Sequence, residues 1–145
     1  MNIQPGMSLA VQRFGYTHHG IYAGMIHDTP TVIHYNKFNG GKGRIERTSF
    51  REFQKGARCW IDNCGTRYTD AVLKQSLATA ESRLGEQKYN LLTNNCEHFA
   101  SKCVTGKSRS RQAVKFVAGA GIALGAVIVV AVIQKRHQKG LGYQY

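Results

Sequence analysis

Acidic residues are scarce in this 145-residue chain, and they stop early. Eight Asp and Glu stand against 20 Lys and Arg, and none follows Glu97. Proline occurs only twice, which excludes a Pro-rich linker, and the 16 glycines lack the strict period of collagen. The opening MNIQPGMSLAVQRFG has neither a basic n-region nor an apolar h-region, so no secretory signal is expected. The four cysteines, Cys59, Cys64, Cys96 and Cys103, are therefore expected as thiols, not disulfides. No CxxC pair occurs, so a structural zinc site of ordinary spacing is not expected.

The remaining composition, 42% hydrophobic and 19% charged, suits a folded chain with room for one domain. The net charge of +12 is unevenly placed. Residues 98–145 carry eight Lys and Arg and no acid, leaving +4 for the first 97 residues. The excess flanks one apolar run, Phe116 to Ile133, FVAGAGIALGAVIVVAVI, 18 residues without a charge. At about 1.5 Å per residue, a helix of this length approaches the hydrocarbon thickness of a bilayer. A core helix, the competing reading, needs a larger surrounding domain to enclose it. The run is thus expected to be a single transmembrane helix and the domain before it cytoplasmic, with five basic residues from Lys102 to Lys115 upstream and three from Lys135 to Lys139 downstream. Gly121 and Gly125 form a GxxxG spacing, a weak signal for self-association. A nucleic-acid partner is not expected, because the folded part lacks an arginine-rich face. The organisation is a domain over 1–106, a basic linker over 107–115, the anchor over 116–133 and a basic tail over 134–145.

Within the domain, 6–14, 18–25, 31–36, 44–49 and 57–62 read as strands, separated by turns near Asp28-Thr29-Pro30 and Gly40-Gly41-Gly43. Leu73, Leu77, Ala80 and Leu84 then recur at helical spacing, with Thr69 or Asp70 as cap. A second helix is predicted from Asn94 or Asn95 to Gly106. Strands followed by helices make an α+β domain with a largely antiparallel sheet.

Cys96 follows two good N-cap residues, so its sulfur is expected at a helix N-terminus, where amides and dipole favour a thiolate. A thiolate is a nucleophile, and it needs a base within hydrogen-bond reach. His18 and His34 fall on adjacent strands of one hairpin. With the turn near residues 27–28, His34 is expected opposite about residue 21, one diagonal step from His18, with both rings on one side of the sheet. Cys96, His18 and His34 would then serve as nucleophile, base and orienter. A buried Cys that is merely packed is the competing reading. His98, two residues beyond Cys96, is expected to pack or cap.

The segments His18-His19-Gly20-Ile21-Tyr22-Ala23-Gly24, Val32-Ile33-His34 and Asn95-Cys96-Glu97-His98-Phe99 resemble the H-box and NCEHF motifs of the lecithin-retinol-acyltransferase-like family, most closely its phospholipase A/acyltransferase branch. The resemblance extends to Pro5-Gly6 and to the C-terminal apolar run. It implies a permuted NlpC/P60, papain-like fold. It also implies acylation of Cys96 by a glycerophospholipid at a bilayer, with transfer to water, a lysophospholipid or the amine of phosphatidylethanolamine. His18 takes the base's place and His34 the third position, and Tyr22 lies in the matching H-box. No metal or cofactor is implied. His19 stands where the family usually has Trp, which leaves two adjacent candidates for the base; the spacing to Ile21-Tyr22 favours His18. Met7 replaces an acidic residue, and the link from His18 to His34 is longer than in the family. Two further readings stand beside the enzyme: a membrane-tethered interaction module of the same fold, and a thiol peptidase.

Overall fold

The computed structural model describes residues 2–36, 43–90, 94–115 and 117–119. Five strands form one antiparallel sheet: β1 Ser8–Arg13, β2 Tyr16–Ile26, β3 Thr29–Asn36, β4 Arg44–Ser49 and β5 Cys59–Ile61, in the order β4-β3-β2-β1-β5. Among the described residues of the domain, three helices accompany the sheet: α1 Phe50–Gln54, α2 Asp70–Ser82 and α3 Cys96–Thr105. The α+β class and antiparallel sheet expected from the strand-then-helix order are present, and five expected strands match five observed ones. Helix α1 was not expected. It starts where Ser49 closes a capping box with Glu52 and ends within five residues at a left-handed Lys55, too short for a periodic signal.

Opposed residues of an antiparallel pair project to the same face, so the register sorts the side chains. One face carries Ala10, His19, Ile21, Ile33, Tyr35 and Ile45. Ile21, Ile33, Tyr35 and Ile45 pack with Ala80 of α2 and with Cys96, Phe99, Ala100, Cys103 and Val104 of α3. The other face carries Leu9, Val11, His18, Gly20, Val32 and His34. Phe53 of α1 closes it, clustered with Leu9, Val11 and Val32. Arg13 fastens α1 to the strands by donating to the carbonyls of Phe53 and Gln54.

The β2–β3 hairpin turns through two residues, His27 and Asp28, both with positive φ, so Pro30 lies inside β3 and not in the turn. A bulge between Tyr22 and Gly24 shifts the register by one, and Gly24 absorbs it at φ 84°. His34 therefore faces Gly20, not residue 21 as expected. The shift puts the His34 ring on the His18 side of the sheet.

The compact unit runs Met1–Arg111 and so takes in residues 107–111 of the expected linker. Residues 112–115 and 117–119, in a second unit, are helical. Apart from 117–119, the expected anchor 116–133 and tail 134–145 lie outside the described residues. Among the described residues no helix is long and apolar enough to cross a membrane.

Candidate active site

Helix α3 begins as its sequence dictates. The Asn95 carboxamide oxygen accepts from the amides of Glu97 and His98, both at 3.0 Å, and His98 Nδ1 accepts from the Asn95 amide at 3.4 Å. This capping box is worth about 1 kcal/mol in an exposed helix. Here it also points the first helical residue, Cys96, into the sheet, with 5% of its surface exposed. His98 is thus a capping residue, as expected. All four cysteines are free thiols.

The Cys96 thiol donates weakly to the Thr17 carbonyl of β2 at 3.8 Å. Two residues on, His19 is 2% exposed and sits on the face that packs against α3. Its Nε2 lies 3.2 Å from Asp62 Oδ2, just beyond β5. Burial disfavours the imidazolium, but bonds to Asp62 and to Cys96 outweigh it and hold His19 at about 9. With Nε2 on Asp62, the nitrogen left for the sulfur is Nδ1, which is buried and has no well-formed hydrogen bond of its own. The Asp62 carboxyl is held down at about 2, first by the His19 bond. Burial pushes the Tyr89 phenol up, and its nearness to Cys96 adds to that push.

The other histidines form a separate pair. His18 Nε2 and His34 Nδ1 are 3.0 Å apart, with the rings nearly perpendicular at 87°. His34 is further fixed by the Tyr35 carbonyl at 3.1 Å and by Thr48 Oγ1 at 2.9 Å. Phe53 packs on both rings, with centroids 5.3 and 5.2 Å away. Burial, above all, pushes His34 down to about 4. Burial and then His34 push His18 well below the ordinary imidazole value. Both rings are therefore neutral near pH 7.

The structure thus brings His18 and His34 together, as expected, but it does not bring them to Cys96. They lie on the Phe53 face, while Cys96 packs on the face of Ile21 and Ile33. The imidazole beside the sulfur is that of His19. Parity carries the signal for this: His19 shares the alternation of Ile21, the apolar position that meets the helix. Asp62 was not singled out from the sequence, since nothing local marks its carboxylate as a partner of a residue 43 positions earlier.

The chain is 25% identical to human phospholipase A and acyltransferase 4, across 94% of its own length and 93% of the relative's. It is 38% identical to mouse phospholipase A and acyltransferase 3 over 76 residues, half of the chain. Mouse lecithin retinol acyltransferase is 31% identical across 77% of the chain, which spans 58% of that relative's length. The lecithin retinol acyltransferase profile matches residues 1–109. With its H-box strand, its NCEHF helix and relatives from the phospholipase A and acyltransferase branch, the chain belongs to the lecithin-retinol-acyltransferase-like family.

Proposed function

We propose that this protein is a membrane-anchored thiol phospholipase A and acyltransferase with Cys96 as its nucleophile. The observation that carries the reading is the seating of Cys96 at the N-terminus of α3 beside a buried imidazole whose far nitrogen is held by a carboxylate. The sulfur attacks the carbonyl carbon of a glycerophospholipid ester. The imidazolium then gives its proton to the leaving lysophospholipid oxygen as the C–O bond breaks, and a thioester remains on Cys96. Water, a lysophospholipid hydroxyl or the amine of phosphatidylethanolamine loses a proton to the imidazole, attacks the thioester and returns the sulfur.

The lipid side of the reading rests on two features. The uncharged run 116–133 with basic flanks suits a bilayer anchor. The β1–β2 turn also presents a fully exposed Phe14 and a half-exposed Tyr16 next to Thr17, whose carbonyl meets Cys96. An exposed apolar tip three residues before the strand position that meets Cys96 suits an ester approaching from a lipid interface.

The geometry favours His19 as the base. A second assignment, His18 with His34 as orienter, is favoured by their 3.0 Å bond and by the matching H-box spacing. It requires the helix N-terminus to reach the opposite face of the sheet. Release of fatty acid from phosphatidylcholine vesicles by the Cys96→Ser, His18→Gln and His19→Gln variants decides both questions. Loss of activity in Cys96→Ser and in His19→Gln, with His18→Gln retaining turnover, is the expected result. Undiminished release by Cys96→Ser removes it as nucleophile, and loss confined to His18→Gln transfers the base to the other pair.

A further inference from the structure

Asp62 and Arg111 have no part in the sequence reading, yet between them they tie together the two halves of the site. Asp62 Oδ2 receives His19 Nε2 at 3.2 Å and Arg111 Nη2 at 2.7 Å, while its Oδ1 accepts from the Cys64 amide at 3.0 Å. The same guanidinium donates through Nε to Glu97 Oε1 at 3.1 Å. Glu97 follows Cys96 directly in α3, and its second oxygen accepts from Ser110 Oγ at 2.8 Å. Ser110 also accepts from the cap residue, Asn95 Nδ2, at 3.2 Å. One cation therefore grips the carboxylate behind the imidazole and the carboxylate beside the sulfur.

We propose that Asp62 is the positioning residue of the His19 imidazole and that Arg111, on the segment leading toward the apolar run, holds Asp62 and Glu97 in register so that ring and sulfur stay aligned. The inference rests on the His19 reading of the base.

The physical case begins with the ring. Imidazole bonded at Nε2 to a carboxylate must present Nδ1 to the sulfur, so Asp62 sets both its orientation and the nitrogen that takes the proton. Among the described residues Nδ1 is buried without a well-formed bond, so the Asp62 contact at Nε2 is the ring's firm anchor. The carboxylates themselves need a partner. The Asp62 and Glu97 side chains are 12% and 6% exposed, and two buried negative charges near one site repel unless a cation lies between them. The Arg111 side chain is 71% exposed, so it spans them from the solvent side. A planar guanidinium offers donors to both at once, which a lysine ammonium does less well.

The test uses the full chain in vesicles of phosphatidylcholine, comparing wild type with Asp62→Asn, Asp62→Glu, Arg111→Gln and Arg111→Lys. Fatty-acid release is followed from pH 5.5 to 10. Asp62→Asn is expected to lower kcat about 100-fold with little change in KM. It should also move the alkaline limb of the profile from about pH 9 toward the ordinary imidazole range, because the lost carboxylate was holding the proton on. Asp62→Glu should restore part of the limb, which a purely structural role gives no reason to expect. Arg111→Gln should cost about 10-fold in kcat and lower the unfolding midpoint, since it leaves two buried carboxylates without their shared cation. Arg111→Lys should recover part of that loss. A wild-type pH limb in Asp62→Asn, with His19→Gln inactive, overturns the inference and leaves His19 as base. Full activity in His19→Gln removes the reading beneath it. If Asp62→Asn does not fold, an Arg111→Gln enzyme with wild-type kcat overturns the inference by itself.

Discussion

His18 and His19 are consecutive residues of β2, yet they sit on opposite faces of the sheet in opposite electrostatic settings. His18 meets a second imidazole, His34, at 3.0 Å under Phe53, and burial keeps it neutral. His19 meets a carboxylate at 3.2 Å and a sulfur, and is held charged. Strand alternation alone creates this division, and the bulge at residues 22–24 determines which side His34 joins. The two histidine environments therefore leave opposite pH signatures.

The alkaline signature belongs to His19. Its folded value of about 9 exceeds the ordinary 6.5, so the folded state binds the proton more tightly. The stability from this bond is fully present below pH 6.5 and is lost as the pH rises through 9. Its size is on the order of 2–3 kcal/mol, part of it owed to the sulfur. The depressed Asp62 reports the same bond from the other side and is counted once; its share is lost as the pH falls from 3.8 through about 2. Urea midpoints at pH 6.5, 8 and 9.5 should fall for wild type and stay flatter for His19→Gln. Parallel slopes for the two proteins refute the assignment.

The acid signature belongs to His34. Its folded value, about 4, lies below the ordinary 6.5, so the unfolded chain takes up protons first as the pH drops. Stability from the neutral ring is complete above pH 6.5 and is lost progressively toward pH 4. His18 shifts in the same direction. His34→Gln should be less stable at neutral pH, because it loses bonds to His18 and Thr48, and its midpoint should decline less between pH 7 and 4.5. The slope, measured by urea titration, separates this from a simple loss of packing. An unchanged slope shows that the ring titrates normally.

Much of this site was legible before the structure. Two asparagines ahead of Cys96 mark a helix start, and the helix begins there because the Asn95 side chain satisfies its free amides. The H-box strands alternate clearly enough to form a hairpin with His18 and His34 in contact. What stayed hidden depends on one-residue geometry or on distant partners. The bulge has no local signature beyond Gly24, and an error of one residue in register exchanges the faces of the sheet. The choice between two adjacent histidines turns on which face α3 covers, a tertiary fact. Asp62 and Arg111 meet across 49 residues, and five-residue α1 offers too little length for any period.

Gly20 tests the packing of the histidine face. A Cβ there would lie 2.7 Å from Val32 Cγ1, 2.9 Å from Phe53 Cε2 and 3.0 Å from His34 Cβ. The strand conformation itself tolerates alanine, so the obstacle is space and not backbone strain. Gly20→Ala should destabilise the domain by about 1–3 kcal/mol, as overpacked cores do. Adding Phe53→Leu should recover part of the loss by making room. A midpoint of unfolding equal to wild type for Gly20→Ala would mean the face is looser than these distances imply.

Phe14 tests the lipid reading without touching the chemistry. It is fully exposed at the β1–β2 turn, so its removal should leave the unfolding midpoint unchanged. The turn leads within three residues to Thr17, whose carbonyl receives the Cys96 thiol. If that tip enters the bilayer surface, the ring contributes roughly 1.5–3 kcal/mol of apolar burial there. Phe14→Ala should then lower turnover of vesicle phosphatidylcholine about 10-fold, a loss of roughly 1.4 kcal/mol. Turnover of a soluble short-chain ester should not change, because that substrate needs no interface. Equal losses on both substrates would place Phe14 in the ester pocket, and no loss on either would show that lipid reaches Cys96 by another side of the domain.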